Sequence, residues 1–163
     1  MNGLETVFST IAEAVGSRPG MQLVLSIGPN LDPSSIQSVP ANAIVVQQAP
    51  QLELLKRSVL CITHAGLNTT LESLAQGVPM VALPVANDQY GVSARIAQTR
   101  TGVVVDLPGL TAAKLSPVVD EVLNNSEYRQ NAEKLKQTIR KNDGLETAVD
   151  LLERAFSFVP VAG

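Results

Sequence analysis

At 163 residues, with 45% hydrophobic and 17% charged residues, the chain is long and apolar enough for one globular domain, which excludes a disordered chain. A formal net charge of −3 gives no electrostatic reason to expect nucleic acid as a partner. The sequence has no apolar run near the roughly 18 residues that a membrane span requires and no signal peptide, so we expect no transmembrane segment.

The predicted elements alternate between helical and strand periods. In chain order they are a helix at 4–15, strands at 21–28 and 43–48, a short helix at 51–58, a strand at 59–63, a helix at 67–76, a strand at 79–85, a helix at 89–99 and a strand at 102–107. From Thr111 to about Phe156 the pattern is helical, with breaks near Ser126 and Gly144. Thr111 and Ser126 are the predicted N-caps of two of these helices.

Short apolar strands that alternate with helices favour parallel pairing, because parallel neighbours need crossover connections. We therefore predict one domain over residues 1–163 with an α/β fold, a Rossmann-like doubly wound parallel sheet to which C-terminal helices are added. The single cysteine excludes an internal disulfide framework and fits a reducing compartment, so we expect a cytoplasmic protein.

The only histidine and the only cysteine lie in "CITHAGLNTTLESLAQGVP", residues 61–79, where a predicted strand is followed by a helix. In doubly wound sheets, ligands bind at the carboxyl ends of strands, beside the N-termini of the following helices. Gly66 permits close backbone approach, and residues 68–70 add amide and hydroxyl donors, so this loop suits an anion such as phosphate, to which His64 would donate. The alternative is a surface histidine beside a glycine turn and a capped helix.

From Gln48 to Gln89 the sequence contains an A-P-Q triplet, H-x-G-x-N-[ST]-x-x-E, G-V-P and a terminal D-Q at fixed spacings. This set resembles the donor-binding signature of the UDP-glycosyltransferase superfamily, which includes the plant-secondary-product box and bacterial macrolide and carotenoid glycosyltransferases. A weaker resemblance continues over residues 102–135. The resemblance implies the carboxyl-terminal, nucleotide-sugar-binding half of a GT-B enzyme.

The resemblance implies a role for each matching residue. The ligands of the donor diphosphate would be His64, Gly66, Asn68 and Thr69. The ligands of the ribose and base would be Gln48, Ala49, Gln51 and Glu72, with the Glu72 carboxylate on the ribose hydroxyls. Asp88 and Gln89 would bind hydroxyls of the transferred sugar. A solvated Glu72 and a turn-forming Asp88 are the alternatives.

Three positions depart from the plant pattern. Gln48 and Leu67 stand where plant members have tryptophan, and Val92 stands where they have asparagine. These differences place the chain with bacterial members and leave both a UDP-sugar and a TDP-sugar open as the donor. No metal or other cofactor is expected.

The family's acceptor pocket and catalytic base belong to an amino-terminal half that this sequence does not match. We therefore expect no catalytic residue in this chain, a missing amino-terminal acceptor domain as its partner, and no transfer by the chain alone. In the family, the carboxyl-terminal half also begins with a strand, which is central in the usual strand order. Because this chain begins with a predicted helix, we expect that strand to be missing and a sheet edge to be unpaired. A second copy in a homodimer, the apolar tail at 156–163 or direct contact between the flanking strands would cover that edge.

Three functions are compatible with the motif. The first is the donor-binding half of an inverting, metal-independent glycosyltransferase. The second is a non-catalytic binding subunit of a heteromeric glycosyltransferase that acts on a lipid carrier, and the D-Q ending favours the first, because such subunits generally lack it. The third, half of a sugar-nucleotide epimerase, fits "HAGLNTTLE" poorly.

Overall fold

The computed structural model describes residues 3–16, 18–142 and 144–156, which form seven α-helices and five strands. The helices are α1 (Gly3–Val15), α2 (Gln51–Leu55), α3 (Leu67–Gln76), α4 (Gln89–Gln98), α5 (Ala112–Asn124), α6 (Ser126–Lys141) and α7 (Gly144–Ala155). The strands are β1 (Leu23–Ser26), β2 (Ala43–Val46), β3 (Cys61–Thr63), β4 (Met80–Ala82) and β5 (Gly102–Val104). Every strand pairing is parallel, which confirms the predicted α/β class.

The strands form two sheets rather than one continuous sheet. β1 pairs with β2, and β3, β4 and β5 pair in that order. One hydrophobic core nevertheless serves both sheets, since Leu25, Val81 and Leu115 belong to the same buried cluster. A cavity of about 790 Å³ is lined by Met21, just before β1, and by Val59, just before β3. The chain segments just before β1 and β3 thus border the same cavity.

The unpaired side of β1 carries backbone groups that a further strand would use. Leu23 and Ile27 donate their N–H groups to the carbonyls of Asn42 and Val46, at 3.0 Å each. Because the direction of these groups alternates along a strand, Val24 and Ser26 turn their N–H and C=O groups away from β2.

Of the three predicted ways of covering this edge, direct contact between the flanking strands is wrong, because β1 and β3 do not pair. The other two stay predictions. Residues 157–163 of the tail lie outside the described residues, and a homodimer is untested. Phe156, the last described residue, is 72% exposed after the end of α7. None of the described helices combines the length and apolar character that crossing a membrane requires.

Side-chain caps fix the starts of α5 and α6. The Thr111 hydroxyl accepts from the N–H of Lys114 at 3.3 Å, which confirms the predicted cap. The predicted cap at Ser126 is wrong. Asn125 has the extended backbone of a cap, and its side-chain oxygen accepts from the N–H of Glu127 at 3.0 Å. Ser126 is therefore the first residue inside α6.

Gly102, at the start of β5, lies where no side chain fits. A Cβ atom there would overlap the carbonyl oxygen of Met80 and lie 2.9 Å from Cγ2 of Ile96. Because the first obstacle is the backbone of a buried strand, we expect Gly102→Ala to lower the free energy of unfolding by about 1–3 kcal/mol. Gly91→Ala is the matched control, since the space around Gly91 in α4 is open. Urea unfolding with the same midpoint for both variants would contradict this packing.

Candidate functional site

The predicted site residues lie on the loops that follow β2, β3 and β4 and in the helices that begin after those loops. The loop at 64–66 connects β3 to α3, and the loop at 83–88 connects β4 to α4. β3 and β4 are parallel neighbours, so their carboxyl ends and both loops lie at the same edge of the sheet. Helix α2, which follows β2, packs against α3 and brings residues 48–51 to this edge.

The N-terminus of α3 presents unused backbone donors. Its N-cap is Gly66, which has no side chain, and the first intrahelical bond runs from the N–H of Thr70 to the Gly66 carbonyl at 3.0 Å. The N–H groups of residues 67–69 are therefore left for a ligand or water. No acidic residue stands in the first turn to offset the helix dipole. This helix start is thus suited to an anion, whereas α5 and α6 are capped by side chains.

The imidazole of His64 lies directly over Gly66. A Cβ atom on Gly66 would be 2.6 Å from Nε2 and 3.2 Å from Cε1 of His64. The backbone of Gly66 has an ordinary φ of −62°, so the space taken by the ring, rather than backbone strain, explains the glycine. The predicted close approach of the Gly66 backbone to a ligand stays a prediction. His64 is exposed, so a ligand can reach its ring.

A strained residue connects His64 to Gly66. Ala65 has a φ of +64°, a left-handed conformation that residues other than glycine rarely adopt, and it is completely buried. Its N–H donates to the hydroxyl of Thr63 at 3.2 Å. This hydrogen bond and the burial hold the turn that positions the imidazole. The sequence analysis missed Ala65, because alanine carries no signal for a left-handed turn.

Three of the predicted ligands contact one another. The side-chain amide of Gln51 donates to the carboxylate of Glu72 and to the hydroxyl of Thr69, the latter at 3.2 Å. Gln51 is the first residue of α2, so these bonds join α2 to α3. The structure thus brings a residue predicted for the diphosphate together with two predicted for the ribose. The Glu72 carboxylate is a hydrogen-bond acceptor, as recognition of hydroxyl groups requires.

The other residues predicted around the nucleotide differ in exposure. Gln48 and Asn68 are exposed, Ala49 is half-buried, and neither exposed side chain has a hydrogen-bond partner among the described residues. Thr70 is only 5% exposed, and its hydroxyl is buried and without a partner in the described part of the chain. The hydroxyl of Thr70 is therefore not accessible to a ligand, unlike that of its half-buried neighbour Thr69.

The residues predicted for the sugar lie on the neighbouring loop. Asp88 is exposed and is the N-cap of α4, and its carboxylate makes no capping hydrogen bond. Gln89 folds back, so that its side-chain oxygen accepts from the N–H groups of Val85 and Ala86 at 2.8 and 3.0 Å. Within the described residues, neither side chain forms a hydrogen bond with Gln51, Thr69 or Glu72. Both nevertheless stand at the same edge of the sheet.

Cys61 is not suited to nucleophilic chemistry. Burial raises the pKa of its thiol, and the nearby hydroxyl of Ser73 opposes this effect only in part. A thiol that stays protonated is a poor nucleophile, so Cys61 and His64 do not form a reactive pair. In the described ranges, no group of three or more His, Cys, Asp and Glu residues is placed to hold a metal ion.

Solved structures share this fold. The glycotransferase of kitacinnamycin matches 91% of this chain and 38% of its own length, with 30% identity and a TM-score of 0.85. CalG4, the calicheamicin glycosyltransferase, matches 98% of this chain and 42% of its own length, with 26% identity and a TM-score of 0.89. The fold is thus that of a part of a GT-B glycosyltransferase.

Sequence comparison gives the family. The sequence model of the UDP-glucoronosyl and UDP-glucosyl transferase family matches residues 4–157, and the chain belongs to this family. The UDP-glucosyltransferase YojK of Bacillus subtilis is 34% identical over 134 residues, which are 82% of this chain and 33% of YojK. Demethyllactenocin mycarosyltransferase of Streptomyces fradiae is 32% identical over 152 residues, which are 93% and 32% of the two chains. The predicted resemblance is confirmed, and the chain spans about a third of the length of these relatives.

Proposed function

We propose that this chain is the donor-binding domain of a cytoplasmic, inverting glycosyltransferase that transfers a sugar from a UDP- or TDP-sugar to an acceptor hydroxyl. The observation that carries the proposal is the uncapped N-terminus of α3, which has the His64 imidazole beside it and the carboxylate of Glu72 in the second turn of the same helix. Backbone N–H groups at a helix start bind phosphate groups well. A carboxylate held nearby by Gln51 supports recognition of the ribose hydroxyls.

In this reaction, a base on the other half of the enzyme removes the proton of the acceptor hydroxyl. The acceptor oxygen attacks the anomeric carbon as the bond from that carbon to the diphosphate oxygen breaks, and this single displacement inverts the configuration. The departing diphosphate gains negative charge. The N–H groups of residues 67–69 and the imidazole of His64 stabilise that charge, because dipoles fixed before the reaction need no reorganisation.

The proposal is tested by calorimetric titration of the chain with UDP and with dTDP. Because the charge of the diphosphate is met by backbone dipoles and His64, we expect saturable binding of one or both nucleotides that EDTA does not weaken. The absence of any saturable binding would contradict the proposed function. Binding that requires added Mg²⁺ would contradict the proposed role of the helix start.

Glu72→Ala is expected to reduce the preference for nucleotides that carry ribose hydroxyls. The hydrogen bonds of a carboxylate to hydroxyls contribute about 1.5–3 kcal/mol, so the wild-type chain should bind UDP about 10- to 150-fold more tightly than dideoxy-UDP. In the variant, the ratio of the affinity for UDP to that for dideoxy-UDP should fall close to one. Calorimetric titration with each nucleotide measures this ratio.

The matched control is Glu53→Ala, which removes an exposed carboxylate from the adjacent helix α2, where it pairs with Lys56. This control should keep the wild-type ratio. A Glu72→Ala variant with the wild-type ratio would remove Glu72 from the ribose site.

We also propose that the acceptor pocket and the catalytic base lie on an amino-terminal acceptor domain, as a part of a longer enzyme or as a separate chain. The lengths of the relatives support this division, because the matched region is about a third of each.

A homodimer is a further proposal, motivated by the unpaired edges of β1 and β3.

A further inference from the structure

The hydroxyl of Thr70 differs from the other buried hydroxyl of helix α3. Thr70 is 5% exposed, and its hydroxyl has no hydrogen-bond partner in the part of the chain that the structure describes. Ser73, three residues further along the helix, is completely buried, and its hydroxyl donates to the carbonyl of Thr69, four residues back, at 2.7 Å. For Thr70, the carbonyl four residues back is that of Gly66. An unpaired buried hydroxyl destabilises the fold and calls for an explanation.

The Gly66 carbonyl belongs to the same peptide group as the N–H of Leu67. This carbonyl accepts from the N–H of Thr70 at 3.0 Å, and the N–H of Leu67 is one of the free donors at the start of α3. When such an N–H donates to an anion, the carbonyl of its peptide group becomes a stronger acceptor, because connected hydrogen bonds polarise one another. The Thr70 hydroxyl is thus one peptide group away from a ligand that it does not touch.

A rotation of the Thr70 side chain would bring its hydroxyl to the Gly66 carbonyl. A threonine in a helix divides between two χ1 rotamers, and its hydroxyl can donate to the carbonyl three or four residues back. Thr138 in α6 makes this contact, since its hydroxyl donates to the Lys134 carbonyl at 3.2 Å. The preference between the two rotamers of Thr70 therefore depends on how strong an acceptor the Gly66 carbonyl is.

Unfavourable features border the free N–H groups of residues 67–69 on both sides. Ala65, before them, is completely buried with a left-handed φ of +64°, and the unpaired hydroxyl of Thr70 follows them. Departures of this kind from local rules concentrate at sites where a protein binds a ligand. The unpaired hydroxyl thus belongs to the same turn as the proposed anion site.

We propose that Thr70 is a positioning residue for the donor diphosphate. An anion on the N–H groups of residues 67–69 favours the rotamer in which the Thr70 hydroxyl donates to the Gly66 carbonyl, and this bond in turn strengthens the contact of the Leu67 N–H with the anion. The proposal rests on the proposed function, which puts the diphosphate at this helix start. Thr70 therefore lowers the stability of the fold and raises the affinity for the ligand.

Two variants of Thr70 test the role of its hydroxyl. Thr70→Val removes the hydroxyl and keeps the shape of the side chain, whereas Thr70→Ser keeps the hydroxyl. Thr138→Val is the matched control, because it makes the first change at an exposed helical threonine whose hydroxyl has a partner. The measurements are the urea midpoint, the Kd for UDP and for dTDP by calorimetry, and the three-bond NMR couplings of Thr70 Cγ2, which report χ1.

We expect Thr70→Val to raise the urea midpoint and to weaken nucleotide binding about three- to tenfold, the contribution of one hydrogen bond. A merely structural role would not move stability and affinity in opposite directions. Thr70→Ser and Thr138→Val should keep the wild-type affinity. In the wild-type chain, the couplings of Thr70 should change when the nucleotide is saturating.

Wild-type affinity in Thr70→Val would overturn the positioning role, and couplings that stay constant during the titration would overturn the rotation. A lower urea midpoint in Thr70→Val would show that the hydroxyl is already paired, which also overturns the proposal. If the wild-type chain bound neither UDP nor dTDP, the proposed function and the positioning role would fall together. Nucleotide binding with no loss of affinity in Thr70→Val would instead overturn the positioning role alone.

Discussion

His64→Ala is expected to weaken the binding of a nucleoside diphosphate by about 1–3 kcal/mol, which is roughly a 5- to 150-fold increase in Kd. The variant loses the hydrogen bond from the imidazole to the diphosphate but keeps the N–H groups of α3. Gly66→Ala should weaken binding as well, because its methyl group would displace the imidazole, whose Nε2 lies 2.6 Å from that position. Calorimetric titration with UDP and dTDP measures both effects.

The folded state should be little affected by these changes. His64 is exposed, and no described residue forms a hydrogen bond with its side chain, so its removal leaves no buried group unpaired. Thermal unfolding of His64→Ala should therefore match that of the wild-type chain, and Gly91→Ala serves as the control for adding a methyl group. Equal nucleotide affinity in the wild-type and His64→Ala chains would reject the role of His64 at the diphosphate.

The purified 163-residue chain is expected to transfer no sugar to an added acceptor and to hydrolyse the donor slowly at most. The sequence has one histidine, which the proposed function uses at the diphosphate. A missing general base alone costs about 10²- to 10⁴-fold in rate, and the loss of the acceptor pocket also removes the alignment of the two reactants. Mass spectrometry of mixtures containing UDP-glucose or dTDP-glucose and hydroxylated acceptors measures the product.

A full-length family member in the same mixtures is the control, since it shows that the donor and acceptor are competent. Product formed by the wild-type chain alone would show a catalytic base within this chain. That result would contradict the proposed division between a donor-binding domain and a separate acceptor domain.

Helix α3 could be predicted from the sequence to the residue. Its predicted range, 67–76, is the observed one, and it ends at Gly77, which has a left-handed φ of +70°. Both boundaries are determined locally, by the residues of the turn before the helix and by a glycine at its end.

The strands were less predictable. β3 covers Cys61–Thr63 rather than 59–63, because the extent of a strand depends on the length over which its neighbour pairs with it.

The motif spacing predicted which residues lie at the carboxyl edge of the sheet but not how they contact each other. The bond between Gln51 and Glu72 joins two helices that are far apart in the motif, and it depends on the packing of α2 against α3. The hydrogen bonds from Val85 and Ala86 to the Gln89 side chain depend on one side-chain rotamer and on the left-handed turn at Asn87. Neither feature has a signature in the order of residue types, so both required the structure.

The central claim is that the donor diphosphate binds at the N-terminus of α3, and NMR of the backbone amides during titration with UDP or dTDP tests it most directly. We expect the largest saturable chemical-shift changes at the amides of residues 67–69, with smaller changes at the amides of Gln51 and Glu72. In His64→Ala the same amides should shift at higher nucleotide concentrations. Saturable shifts confined to another region, such as the open cavity lined by residues 29–33 and 45–47, would contradict the account.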